Sequence, residues 1–153
     1  MLAQWVWLDS YAQQGVEARF LPYLAESFSV TTFERLIADP AQALWVWQEG
    51  PALQGLAQVR FGVPTPVGTR EDQAVELERL YVAPCCTGRG LGVTLLKAAR
   101  ATWPGLALWL SVWEGNAGAL RFYRREGAQL IGQTVFMLDG VAHPNQVLGW
   151  GAA

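Results

Sequence analysis

Apolar and polar positions alternate along Glu76–Val82, ELERLYV, and the alternation stops at Pro84, which has no N–H to give to a β-ladder. A glycine-rich turn follows, Thr87-Gly88-Arg89-Gly90-Leu91-Gly92. Leu91, Leu95, Ala98 and Thr102 then recur at helical spacing, with Lys97 and Arg100 late in the helix where its dipole favours cations. The pattern predicts strand, turn and helix in succession. Upstream, Asp9 to Leu24 is amphipathic but interrupted by Gly15 and Pro22, which predicts two short helices or one broken helix. Thr31 or Thr32 can cap a helix through Phe33, Leu36 and Ile37 that ends before Asp39-Pro40. A hairpin is predicted next: LWVWQ, a turn at Glu49-Gly50-Pro51, and a strand from Gly55 to Phe61. Residues 62–73, GVPTPVGTREDQ, read as loop.

Downstream, LALWLSVW has the apolar run of a buried strand. Glu114-Gly115-Asn116 leads into a helix, AGALRFYRRE, with Asn116 as its cap and Gly127 as its stop. Two strands, AQLIGQTVFML and NQVLGW, joined through Asp139-Gly140, close the chain. The order is helices, a hairpin, then β-α-β-α-β-β. It predicts a single mixed α/β sheet, mostly antiparallel and flanked by helices, with a parallel step from LERLYV to LALWLSVW. Ligands of such sheets sit at the carboxyl ends of the parallel strands. No convincing strand precedes Asp9, so MLAQWVW is either a modest first strand or the sheet lacks one and exposes an edge, which invites a homodimer.

Composition narrows this picture. The 153 residues are 52% hydrophobic with eight tryptophans, which predicts one packed domain over 1–153. A net charge of −2 without a basic block argues against nucleic acid, and no apolar run reaches the ~20 residues that span a bilayer. The start lacks the features of a signal peptide, so the expected location is cytoplasmic. Cys85 and Cys86 are adjacent, without the C-x-x-C spacing of redox or zinc sites, and read as small loop residues. His143 is the single histidine, expected at the surface, so no multi-histidine metal site is expected.

The glycine turn at a helix start forms an anion site, most often for phosphate, unless it is only a tight turn. It is not a Walker loop, for no Gly-Lys-Ser/Thr follows, and it lacks the glycine spacing and distal acid of the Rossmann fingerprint. LYVAP with Thr87–Gly92 resembles instead the acyl-CoA-binding motif of the GCN5-related N-acetyltransferases, the GNAT superfamily, in which V-x-P meets R/Q-x-x-G-x-G/A. SVWEGNAGALRFYRREGAQLIG is similar to a second segment of that family, with Asn116, Ala119, Phe122, Tyr123 and Gly127 in register. The likeness covers residues 31–150 in element order and is firmest over Glu76–Gly132.

This resemblance implies the acyl-CoA N-acyltransferase fold, whose fourth and fifth strands are the parallel pair, and acetyl transfer from acetyl-CoA to a primary amine in a ternary complex. It implies that the backbone of Leu80, Tyr81 and Val82 pairs with the pantetheine and that Val82 N–H faces the thioester oxygen. The pyrophosphate falls to Thr87, Gly88, Arg89, Gly90, Leu91 and Gly92. Tyr123 matches the family's general acid, although it shares a helix flank with Ala119 and Phe122 and could be core. Glu76, six residues before Val82, matches a catalytic base, with Glu78 on the same strand face. Asn116 matches a residue on the CoA arm, or only caps its helix. Thr87 departs from the usual Arg or Gln, and Arg89 could supply the charge.

The stretch from Leu108 to Gly140 resembles a bacterial subgroup that includes spermine/spermidine acetyltransferases more than it resembles generic members, and this resemblance implies a polyamine acceptor. Glu71, Asp72, Glu76, Glu78, Glu114 and Asp139 are its candidate carboxylates. Peptide N-termini, aminoglycosides and a non-catalytic acyl-CoA-binding or regulatory role remain as alternatives.

Overall fold

The computed structural model describes residues 1–68 and 75–151. Its elements are helix α1 (Leu2–Tyr11), a 3-10 turn at Ala18–Phe20, α2 (Leu21–Ser27), α3 (Val30–Ala38), strands β1 (Gln42–Glu49), β2 (Ala52–Phe61) and β3 (Val75–Val82), a 3-10 turn at Pro84–Cys86, α4 (Leu91–Ala101), β4 (Leu108–Trp113), α5 (Ala117–Arg125), β5 (Gln129–Leu138) and β6 (Val141–Trp150). The strands form one sheet in the order β1-β2-β3-β4-β6-β5. Every neighbouring pair is antiparallel except β3 with β4. The mixed sheet and its parallel step are as the sequence predicts.

The sheet separates two cores. On one face α4 and α5 bury Leu95, Leu96, Ala99, Leu120 and Tyr123 against Ala57, Val59, Leu77, Leu110 and Leu148. Gly55 lets α4 come this close, since a Cβ there would stand 2.8 Å from Leu95 Cδ1 and 3.1 Å from the Tyr81 carbonyl oxygen. On the other face Ala3, Trp7, Phe20, Leu24 and Phe28 cover Leu56 and Leu138.

At the amino terminus the second of the two expected forms holds, a sheet without a preceding strand and with an exposed edge. MLAQWVW is helical, and α1 runs through Asp9 rather than starting there. Ala3 and Trp7, four residues apart, are buried together, so a 3.6-residue period beats the β-favouring composition. The sheet thus has no preceding strand, and β1 is its edge, with Trp45, Val46 and Trp47 exposed. Pro22 falls in the first turn of α2, where its missing N–H costs no helical bond. Ser29, not Thr31 or Thr32, caps α3: its Oγ accepts from the Thr32 N–H at 3.0 Å. The last strand begins at Val141 instead of Asn145, because Asp139 and Gly140 both take positive φ, 48° and 74°, in a tight hairpin turn. His143 therefore lies in β6, half-buried against Trp113 and Phe136, rather than on the surface.

Candidate active site

The parallel pair barely forms. Val75 and Glu76 are in register with Leu108 and Trp109, and beyond them β3 and β4 part. The register on the other side of β3 supplies a cause. Val59 opposes Leu77 and Gln58 opposes Arg79, so Glu78 is an extra, bulged residue. A bulge bends its strand and raises the local twist. Leu80, Tyr81 and Val82 still pair with Ala57, Leu56 and Gly55 of β2, but their β4-facing edge has no strand partner.

The gap is a cleft of about 660 Å³. Its walls are the separated ends of β3 and β4, the loop before α4, one side of α5 and the carboxyl half of α1. Leu80, Tyr81, Val82, Thr87, Gly88, Gly90, Leu91, Gly92, Asn116 and Tyr123 all line it. Glu76 and Arg89 do not.

Half of the cleft suits a phosphate-bearing chain. Gly88 and Gly90 have φ of 76° and 84°, a conformation that costs L side chains energy, and a Cβ on either would meet open space. Gly90 caps α4 without any side-chain bond, and the helix's bonds begin with Thr94 N–H to the Gly90 carbonyl at 3.1 Å. The amides of Leu91, Gly92 and Val93 are thus left for an anion, at the positive end of the helix. Arg89 turns away: its Nη2 lies 3.3 Å from Glu49 Oε2 in the β1–β2 turn. Cys86 is buried below the loop and Cys85 exposed, with their sulfurs 3.7 Å apart and both thiols free.

Tyr123 reaches the cleft from α5. Phe122 and Trp150 meet its ring edge-to-face at centroid distances of 5.1 and 6.2 Å. It is only 7% exposed, and its hydroxyl has no hydrogen-bond partner among the described residues. Burial pushes its pKa well above that of a free phenol, so it holds its proton across the neutral range. Asn116 Oδ1 accepts from the Ala119 N–H at 3.0 Å, so this residue both caps α5 and lines the cleft.

The opposite half is aromatic and carries the carboxylates. Tyr11 stacks on Trp7 at 4.7 Å and on Trp113 at 5.3 Å, joining the end of α1 to the end of β4. Burial raises the Tyr11 hydroxyl to about 12 and raises Tyr81 and Tyr23 as well, so these phenols are neutral. Glu78 lines the cleft and Glu76 sits behind it, at the closed end of the strand pair. One guanidinium nitrogen, Arg60 Nη1, bridges them, 3.1 Å from Glu78 Oε2 and 3.4 Å from Glu76 Oε2. Arg79 Nη1 is 3.0 Å from Glu78 Oε1, and Gln58 Nε2 donates to Glu78 Oε2 at 3.1 Å. Gln58 and Arg79, both buried, also bond each other. Burial, reinforced by Glu78, raises the Glu76 pKa despite Arg60 and Arg79.

Of the carboxylates expected to draw a cation, Glu78 lines the cleft, whereas Glu76, Glu114 and Asp139 do not, and Glu71 and Asp72 lie outside the described residues. Asp9 lines it too, brought there by a helix that composition masks. Among the described residues no group of His, Cys, Asp and Glu could hold a metal, and no helix is long and apolar enough to cross a membrane.

Comparison with known proteins agrees with this geometry. Residues 3–128 match the model of the Acetyltransferase (GNAT) family. An uncharacterized N-acetyltransferase of Mycobacterium tuberculosis is 29% identical over 126 residues, 80% of this chain and 75% of that protein. The fold is shared with Arabidopsis thaliana NAA60 bound to a bisubstrate analogue, at a TM-score of 0.67 and 15% identity over 80% of this chain and 82% of the other. PaiA N-acetyltransferase of Thermoplasma acidophilum, solved with coenzyme A, gives 0.64 and 21% over 95% and 87%. The spermidine/spermine N-acetyltransferase SpeG of Vibrio cholerae gives 0.59 and 20% over 78% and 70%.

Proposed function

The chain belongs to the acetyltransferase (GNAT) family, and from that premise we propose that it transfers the acetyl group of acetyl-CoA directly to a primary amine of a small molecule. The observation that carries the reading is that the open edge of β3, the free amides of α4 and Tyr123 all line one cleft. An extended pantetheine adds to that edge as a strand would, while the pyrophosphate takes the amides of residues 88–92. Val82 N–H is the donor offered to the thioester oxygen, where charge builds as the carbonyl becomes tetrahedral.

The residues divide the proton work. A primary amine has a pKa near ~10 and must lose a proton before it attacks. Of the two carboxylates that line the cleft, Asp9 and Glu78, Glu78 takes the proton, and Glu76, with its raised pKa, can receive it from Glu78 in turn. The amine nitrogen then bonds the thioester carbon and sheds its second proton to solvent, the C–S bond breaks, and Tyr123 gives its proton to the departing sulfur. The tyrosinate is reprotonated from solvent as the products leave.

A polyamine is the first acceptor to try. Asp9 at the rim and Glu78 deeper in suit a chain with two ammonium groups, and the stacked rings of Tyr11 and Trp113 suit its methylenes. Peptide N-termini and aminoglycosides complete the panel. The test is amine-dependent release of CoA thiol with spermidine, putrescine, an amino-terminal peptide and an aminoglycoside. Release with spermidine at least about tenfold above the other classes supports the polyamine assignment, and release with another class replaces it. Binding of acetyl-CoA with no amine-dependent release establishes the non-catalytic reading instead. The open β1 edge is where a second copy would add its strand, and light scattering in solution decides between monomer and dimer.

A further inference from the structure

Two thiols stand together at the foot of the glycine loop, and nothing in the proposed reaction uses them. Cys85 is exposed, and Cys86 is buried with Ala83 and Leu91, against Leu2 and Val82. A 3-10 turn fixes both. Cys86 N–H donates to the Ala83 carbonyl at 2.8 Å, and Thr87 Oγ1 donates to the Pro84 carbonyl at 3.0 Å. The two sulfurs are 3.7 Å apart. Cys86 lines the cleft, as do Pro84 and Thr87 on either side of the pair, whereas Cys85 does not.

The spacing decides what the pair can hold. Consecutive Cα atoms stand ~3.8 Å apart, short of the ~4.4–6.8 Å that a disulfide spans, so a direct S–S bond is disfavoured. A single atom between the sulfurs fits instead. Bonds of about 2.3 Å to sulfurs 3.7 Å apart meet at roughly 107°, near the tetrahedral angle. Zinc takes four ligands, and among the described residues no group of three His, Cys, Asp and Glu could hold a metal. The centre that fits is therefore soft and complete with two protein sulfurs. Trivalent arsenic with one organic substituent meets both conditions, because its third bond is already made.

We propose that Cys85 and Cys86 form a dithiol site for mono-organo trivalent arsenicals, and that a bound arsenical and acetyl-CoA exclude one another. Exposed Cys85 makes the first bond. Burial, and then Cys85 beside it, push the Cys86 thiol up, so Cys86 is a poor nucleophile by itself. With arsenic already on the neighbouring sulfur, the second bond is intramolecular and gains from a high effective concentration. Arg89 Nη1, 3.7 Å from Cys86 Sγ, favours the sulfur anion as its proton leaves. Starting from R–As=O, two S–H bonds break, two As–S bonds form, and the oxygen leaves with both protons as water. Arsenic stays trivalent, so no oxidant or reductant takes part. The exclusion rests on the acetyl-CoA reading above: Cys86 is part of the cleft wall, and the amides assigned to the pyrophosphate follow it directly in the chain.

The probe is phenylarsine oxide, added to the native protein, Cys85→Ser and Cys86→Ala and read by intact mass. The native protein is expected to take up one equivalent that survives excess mercaptoethanol, a monothiol, and leaves with the dithiol dimercaptopropanol. The adducts of both variants should be stripped at a mercaptoethanol concentration at least about tenfold lower. Cys85→Ser, at the exposed position, decides alone if Cys86→Ala fails to fold. No uptake by the native protein, or equal resistance in Cys85→Ser, overturns the site. Calorimetry should show the native adduct binding acetyl-CoA at least about tenfold more weakly than the untreated protein, and unchanged affinity overturns the exclusion. An untreated protein that forms the adduct yet binds no acetyl-CoA overturns the coenzyme reading and leaves the dithiol site standing.

Discussion

Replacing Tyr123 by Phe is expected to lower kcat by about 10²- to 10³-fold while acetyl-CoA affinity stays within about twofold. The substitution removes one oxygen and keeps the ring that packs against Phe122 and Trp150. No described group is left unsatisfied by losing that hydroxyl, so little stability is at stake. On the proposed mechanism, what is lost is the proton for the departing thiolate. Because burial raises the Tyr123 pKa, the native enzyme keeps its acid protonated well into alkaline solution, and kcat should not fall between pH 8 and about 10. Steady-state kinetics with parallel titration of acetyl-CoA measures both halves of the expectation. Equal loss of turnover and of cofactor binding would make Tyr123 a packing residue.

Glu78→Gln is expected to lower kcat/KM by about 10²-fold at pH 7, against less than about tenfold for Glu76→Gln. Glu78 is the bulged residue and lines the cleft, whereas Glu76 lies in the paired part of β3 and β4 and does not line it. The pH profile separates catalysis from damage to the fold. Removal of a base matters less as the amine deprotonates unaided, so the deficit of Glu78→Gln should shrink as pH approaches ~10. A misfolded variant would show no such recovery. The substitution also leaves Arg79 with Gln58 and without its carboxylate, so a lower melting temperature is expected beside the kinetic effect. A larger loss in Glu76→Gln than in Glu78→Gln would place the base behind the cleft.

The sequence makes the middle of the molecule legible because its signals there are local. The period-two strand, the glycines that must take positive φ, and the helical recurrence after Leu91 need no distant information, and the same holds for the Asn116 cap and the helix of Tyr123. The remainder depends on contacts between distant segments. Whether Glu76 or Glu78 meets the cleft depends on a bulge set by pairing with Gln58 and Val59, which alternation along β3 cannot reveal. Arg89 is drawn off by Glu49, forty residues earlier. The first helix reads as a candidate strand because Trp and Val favour β-structure, and only its burial against Phe20 and Leu24 selects the helix. With a strand left open over MLAQWVW, Asp9 and Tyr11 drop out of the expected site. The four-residue spacing of Ala3 and Trp7 is the signal that would have recovered them.

Calorimetric titration of the purified protein with acetyl-CoA, beside desulfo-CoA and ATP, tests the central claim most directly. On the proposed reading the amides take the pyrophosphate and the strand edge takes the pantetheine, so acetyl-CoA and desulfo-CoA should both bind at micromolar concentrations and ATP should not. No heat at millimolar acetyl-CoA, or ATP binding as tightly as the coenzyme, would contradict the account and leave only the fold.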